Sequence, residues 1–135
     1  MMTSNEFGRY VEDLFEAECL FRGISVSKCH PRLPFDFTAN VGGFQFTIQV
    51  KGVRHLRYNR ANDSRHFRVR CHRKDSHKTS FHDAGISLMA IFIEPLKRWH
   101  IFTPPKIRGK IEISRNPTGR MSSTINRWDL LGAQL

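Results

Sequence analysis

Apolar residues recur with two different periods along this chain. Phe7, Val11, Leu14, Phe15 and Phe21 keep helical spacing as far as Gly23, and the preceding Thr3-Ser4-Asn5-Glu6 has the form of a capping box. The pattern predicts an amphipathic helix that Gly23 terminates. Ile24 and Val26 suggest a short strand, and Pro31 and Pro34 mark the entry to the next segment. There the period falls to two. Over 33–39, Leu33, Phe35, Phe37 and Ala39 alternate with Pro34, Asp36 and Thr38. After Gly42-Gly43, Phe44, Phe46, Ile48 and Val50 alternate with Gln45, Thr47, Gln49 and Lys51.

Side chains two apart on a strand share a face, so this predicted hairpin has a Phe-rich face that the helix can cover. Its other face carries Asp36, Thr38, Gln45, Thr47, Gln49 and Lys51, and antiparallel pairing brings Asp36 near Gln49 and Lys51. Alternation alone fits an ordinary solvent-facing sheet equally well. Beyond an expected turn at Asn62-Asp63-Ser64, His66, Arg68, Arg70 and His72 alternate with Phe67, Val69 and Cys71, which predicts a strand with one basic face. Such a ribbon suits a groove of a nucleic-acid duplex. Residues 86–93 (ISLMAIFI) read as a strand buried on both faces, with a short buried helix as the alternative that the pattern leaves open, 99–103 as its hairpin partner, and 110–114 as a further strand. Residues 122–131 have a helical look, with Ile125, Trp128 and Leu131 on adjoining turns.

A chain of 135 residues fits one compact domain, 1–135, which must both bind and act. Its 39% hydrophobic content, with 11 Phe and 2 Trp, is that of a globular chain. No apolar run approaches the roughly 18 residues that span a bilayer, and the N-terminus lacks signal-peptide order, so the expected location is cytoplasmic. Cys19, Cys29 and Cys71 are expected to be free thiols of a reducing compartment. The formal charge of +10 favours polyanionic partners. Its distribution is informative: Lys51, Arg54, Arg57, Arg60, Arg65, Arg68, Arg70, Arg73 and Lys74 crowd one stretch that holds only the acids Asp63 and Asp75. Interleaved with Tyr58, Phe67 and histidines, this stretch is the candidate DNA-binding surface, set against the plainer reading of a solvated charged face.

Cutting a phosphodiester requires a divalent cation that polarises the phosphoryl group and activates water, together with a positioned positive charge. A hard cation such as Mg²⁺ takes oxygen ligands. Asp36 offers a carboxylate, Val50 a backbone carbonyl, and Lys51 the adjacent positive charge. The pairs Cys29-His30 and Cys71-His72 lack the spacing of common structural zinc sites, and His72, His77 and His82 lack the order of an HNH nuclease. Gly42-Gly43 is turn chemistry with neither phosphate-loop nor dinucleotide signature.

An acid-rich helix, then Pro34-Phe35-Asp36, a glycine turn and Gln49-Val50-Lys51 resemble the PD-(D/E)xK nuclease signature, with Gln49 where the second acid usually stands. Gly8-Arg9-Tyr10-Val11-Glu12 followed by Gly23 is similar to the opening helix of the archaeal Holliday-junction resolvase branch, in which the acid at the Glu12 position is catalytic. Gln before x-Lys, together with Trp99-His100-Ile101-Phe102 and Trp128-Asp129-Leu130-Leu131, makes the whole chain most like the cyanobacterial group I intron-encoded homing endonuclease branch. The resemblance implies an α/β, restriction-endonuclease-like core with a mixed β-sheet flanked by helices. It implies catalytic Glu12, Asp36, Gln49 and Lys51, and Mg²⁺ (or Mn²⁺) held by Asp36, Gln49, the Val50 carbonyl and, directly or through water, Glu12. The implied partners are double-stranded DNA and further copies of the chain, as a dimer or tetramer. A resolvase or repair nuclease, or a catalytically inactive basic DNA-binding module, are the competing readings, and the neutral Gln49 is what raises the last of them.

Overall fold

The computed structural model describes residues 1–59, 64–71, 79–105, 110–115 and 119–132. Helix α1 (Ser4–Phe21) starts from the capping box, whose two halves both form: Thr3 Oγ1 accepts from the Glu6 N–H at 3.2 Å, and Glu6 Oε1 accepts from the Thr3 N–H at 2.9 Å. Its buried stripe is Phe7, Val11, Phe15 and Cys19. Phe21, expected in that stripe, is 85% exposed, because Cys19 takes the inward place on the last turn. Gly23 follows at φ +74, the left-handed conformation that glycine adopts without steric cost, and the chain reverses there.

Eight strands follow among the described residues: β1 (Val26–Lys28), β2 (Phe37–Val41), β3 (Phe44–Val53), β4 (Arg57–Asn59), β5 (Ser64–Arg70), β6 (Leu88–Ile93), β7 (Arg98–Phe102) and β8 (Lys110–Ser114). The main sheet has the order β1-β2-β3-β6-β7, antiparallel except for the parallel pair β3–β6, and β4-β5-β8 form a second, three-stranded sheet. The β2–β3 hairpin turns at Gly42 and Gly43, both at positive φ as a tight hairpin turn requires. Strand β2 begins at Phe37, later than the expected 33–39, because the segment before it turns: the Leu33 N–H reaches back to the His30 carbonyl at 2.9 Å, and Pro34 has no N–H to give a ladder. The expected helix over 122–131 is two 3₁₀ segments, Gly119–Thr124 and Trp128–Leu131, separated where Asn126 adopts φ 50 and donates its N–H to the Trp99 carbonyl at 2.9 Å.

Each face of the main sheet is buried. On one face α1 and the Trp128–Leu131 turn pack against Phe37, Ala39, Ile48, Val50, Leu88, Ala90, Phe92, Trp99 and Ile101. Phe15 sits at the centre, its ring 5.1 Å from Phe37, 5.8 Å from Trp99 and 5.9 Å from Trp128. On the other face Phe67, Val69 and Ile113 of the second sheet cover Met89, Ile91 and Ile93. Strand β6 is thus buried along its whole length, as its unbroken apolar run requires. A parallel pair needs a crossover, and here the chain between β3 and β6 builds β4 and β5 on the way, so a small sheet covers the face opposite α1.

Gly52 lets α1 approach the sheet. A Cβ there would stand 2.5 Å from Val11 Cγ2 and 2.6 Å from Phe7 Cε2. Gly52→Ala is expected to lower stability by about 1–3 kcal/mol through overpacking, read as a reduced midpoint in urea. An unchanged midpoint would show that α1 shifts without cost.

Candidate functional site

The site forms where β2 starts against the middle of β3. The register Phe37↔Ile48 puts Asp36 one step beyond the end of β2, and its backbone extends the ladder: its N–H donates to the Ile48 carbonyl at 2.8 Å, and its carbonyl accepts from the Cys29 N–H at 2.8 Å. With the main chain held on both sides, the half-buried carboxylate is fixed, and its Oδ2 accepts from the Val50 N–H at 2.8 Å. Carbonyls of residues two apart on a strand are directed to the same edge. Since the Ile48 carbonyl meets Asp36, the Val50 carbonyl is directed to that edge as well, beside the Asp36 carboxylate and past the start of β2.

Gln49 and Lys51 flank Val50 on β3, half-buried and on the face opposite Ile48 and Val50. Lys51 Nζ lies 5.2 Å from the centre of the Phe81 ring, an aromatic surface of the second-sheet side. Glu12 comes from the other face, half-buried on α1. Its pKa is raised, first by burial and then by the negative charge of Asp36. The Asp36 pKa is raised by burial, against the opposing pull of the Val50 N–H, Lys51 and Lys28. Burial of both carboxylates, with the charge of Asp36 added at Glu12, favours their neutral forms, and a cation beside them would offset that cost.

The fit to a divalent cation rests on these donors. Among the described residues no three His, Cys, Asp or Glu side chains form a group that could hold a metal ion, so a cation at Asp36 would have to draw on neutral oxygens such as the Val50 carbonyl and the Gln49 amide besides Glu12. An all-oxygen set of low charge, open to solvent for the remaining positions, suits Mg²⁺ or Mn²⁺ and not a closed zinc site. Cys29 carries a pKa raised by burial, and all three cysteines are free, Cys19 and Cys71 being buried.

A cleft of about 340 Å³ opens on the two acids and is lined by Arg9, Glu12, Lys28, Cys29, His30, Phe35 and Asp36 among others. The lysine was missed by motif reading. Lys28 pairs directly with Phe37, and such pairs share a face, so Lys28 projects on the α1 side while Lys51 projects on the other. The signal was present in the pattern: Ile24, Val26 and Lys28 share one parity, and a charge at an apolar phase marks an exit from the core.

The mid-chain cations are less uniform than their count. Arg57 and Arg65 are exposed, and Tyr58 lies opposite Arg65 in the β4–β5 pair. Arg68 and Arg70 alternate with the buried Phe67 and Val69, as expected of a ribbon with one basic face. That face also bears Glu112, 3.6 Å from Arg68, while His66 is buried with Nε2 3.1 Å from Glu112. Arg54 is committed elsewhere: its guanidinium covers the Phe7 ring at 4.6 Å and donates to the Met2 carbonyl at 3.0 Å. Arg60, Arg73, Lys74, the Asn62-Asp63 turn, His72 and His77 lie outside the described residues. Glu18, without a role from sequence, pairs with Arg22 at 3.1 Å along the helix surface. Among the described residues no helix is long and apolar enough to cross a membrane.

No family model and no curated protein matches the sequence. Solved structures do match the fold. A bacterial homing endonuclease, I-Ssp6803I, aligns over 96% of this chain and 93% of its own with a TM-score of 0.73 at 17% identity. Hjc, a Holliday junction resolvase from the archaeon Archaeoglobus fulgidus, aligns over 95% of this chain and 98% of its own with a TM-score of 0.61 at 15% identity. The fold expected from the PD-(D/E)xK resemblance, a mixed sheet with the opening helix against it, is therefore the fold observed.

Proposed function

From that fold and this centre, we propose that the chain is a metal-dependent endonuclease that hydrolyses phosphodiester bonds of double-stranded DNA. The observation that carries the proposal is the fixed Asp36 carboxylate beside the Val50 carbonyl, with Glu12 and Gln49 near it and Lys28 and Lys51 approaching from opposite faces. When bound, Mg²⁺ or Mn²⁺ supplies Lewis-acid polarisation of the phosphoryl group and lowers the pKa of water. The chain does the rest. Asp36 and Glu12 provide the negative charge that attracts the cation, while the Val50 carbonyl and Gln49 amide complete the oxygen set. The Lys51 ammonium stands beside the reacting group, where it orients a water molecule and offsets charge that grows on the phosphoryl oxygens.

Arg57, Arg65, Arg68 and Arg70 of the second sheet supply further contacts to DNA in this reading, with the balance of +10 drawing the polyanion in. A single centre serves one strand at a time, and a homo-oligomer, a dimer or tetramer, would bring a second centre to the other strand. Site-specific cleavage in intron homing is the leading role, supported by the fit to I-Ssp6803I over nearly the whole of both chains. The alignment with Hjc over nearly the whole of both chains supports resolution of DNA junctions as the second role. Cleavage of a linear genomic-DNA library against cleavage of synthetic four-way junctions, both in Mg²⁺, separates the two: sequence-restricted cuts in the library favour the first, preference for the junction the second.

Gln49 provides a finer test. If its amide oxygen ligates, Gln49→Glu preserves cation affinity, and Gln49→Ala weakens it about tenfold, the loss of roughly 1.4 kcal/mol of binding. Titration of Mn²⁺ by calorimetry reads both, and equal affinity in all three proteins would make Gln49 a bystander.

A further inference from the structure

The geometry points to the cleft between α1 and the β1–β2 segment as the seat of the DNA backbone at the cut, with Arg9 and Lys28 holding phosphates next to the scissile one. This rests on the reading of the centre as one that cuts phosphodiesters, and it places DNA on a surface outside the basic mid-chain stretch. The cleft, about 340 Å³, is the described cavity that opens on both acids, Glu12 and Asp36. Two carboxylates draw in a cation but repel a phosphodiester, so a backbone that approaches them needs positive charge at the rim.

The rim has that charge. Arg9 lies three residues before Glu12 on α1, hence on the same side of the helix, and is exposed. Lys28 is exposed at the end of β1, opposite Phe37 on the α1 side. Both line the cleft together with the two acids. The positive field of Lys28 reaches both Glu12 and Asp36. Arg9 lies one turn from both Glu6 and Glu12 on α1; Glu6 is held in the capping box, where its Oε1 accepts from the Thr3 N–H, while Glu12 lines the cleft. By contrast, Arg54, the first arginine after the Gln49-Val50-Lys51 strand, is bound over Phe7 and to the Met2 carbonyl, and Arg68 shares its face with Glu112. Arg9 suits a phosphate through its planar fork of donors, and Lys28 as a mobile point charge.

The test is binding of a fluorescein-labelled DNA duplex in EDTA, where no cation-dependent cutting occurs, over a series of salt concentrations. Arg9→Gln with Lys28→Gln removes two exposed charges and leaves the core untouched. Arg22→Gln with Arg127→Gln removes the same net charge at the far end of α1 and beside Asp129. The cleft pair is expected to weaken binding by about tenfold or more and to lower the slope of log K against log salt by about 1.8, two phosphate contacts at ~0.9 each. The control pair is expected to change the slope by much less. Unchanged affinity and slope in the cleft pair, or equal losses in the two pairs, would overturn the inference, the second by reducing it to long-range charge. Nicking of supercoiled plasmid in Mg²⁺ is followed in parallel with the wild-type chain. Binding through Arg9 and Lys28 without any nicking would sink the cleavage reading and leave this surface standing; nicking with the cleft pair silent in binding would do the reverse.

Discussion

Asp36→Asn is expected to abolish Mg²⁺-dependent DNA cleavage, with a loss on the order of 10²–10³-fold or more, while the fold persists and gains stability at neutral pH. The amide Oδ1 of asparagine still accepts the Val50 N–H, so the backbone of the β2–β3 junction is retained. What is lost is the anionic oxygen for the cation. The stability sign follows from the raised pKa of Asp36, whose largest cause is burial. A carboxylate with its folded pKa above the unfolded value binds more protons folded than unfolded in the window between the two. Stability therefore falls as pH rises through that window, and the cost persists above it. Asparagine carries no such cost. The same shift sets the acidic limb of the activity profile: Asp36 and Glu12 must be ionised to serve a cation, and both titrate above the ordinary carboxylate values of 3.8 and 4.5. Activity of the wild-type chain should fall with pH above that ordinary range. In a thermal melt, Mg²⁺ at about a hundred times its Kd should stabilise the wild type by about 2.7 kcal/mol and Asp36→Asn far less. Equal responses of the two proteins to Mg²⁺, or ordinary cutting by the variant, would remove Asp36 from the site.

Lys51→Ala is expected to be the second severe lesion, with cleavage reduced by on the order of 10²–10³-fold and duplex affinity within a factor of about three. Its ammonium acts on charge that appears as the bond breaks, an interaction stronger in the transition state than in the bound ground state. The contact with the Phe81 ring accounts for about 0.5–1 kcal/mol of the structural cost. Single-turnover rates and equilibrium binding, measured on the same duplex, separate the two effects. A variant that binds weakly but cuts at a normal rate once saturated would make Lys51 a DNA anchor.

Local pattern carried most of the architecture. The capping box and the spacing of Phe7, Val11 and Phe15 specify α1 because each is satisfied within a few residues, and the Gly42-Gly43 hairpin fixes its own register, which brings Asp36 to Val50. The unbroken 86–93 run fitted a buried strand or a short buried helix, and the structure has the strand, over Leu88–Ile93. What stayed hidden depends on contacts between distant segments. Nothing in the alternation of β5 says that its apolar side covers the main sheet, or that Glu112 stands across from Arg68. Strand β4 was not anticipated at all, since three residues around Tyr58 have no period to read. The same holds for the site: Asp36, Gln49 and Lys51 lie within one hairpin and are legible together. Glu12 needed the resemblance, and Lys28 needed the pairing of β1 with β2.

The central claim is that this chain cuts DNA with a cation held at Asp36, and it is met most directly by incubating the wild-type chain with a linear genomic-DNA library and with four-way junctions, in Mg²⁺ and in EDTA, and mapping new DNA ends by sequencing. The account predicts new ends in Mg²⁺ on at least one of the two substrates, none in EDTA, and none in either condition with Asp36→Asn. Cutting that survives EDTA, or DNA bound tightly and left whole on both substrates in Mg²⁺ and in Mn²⁺, would contradict it.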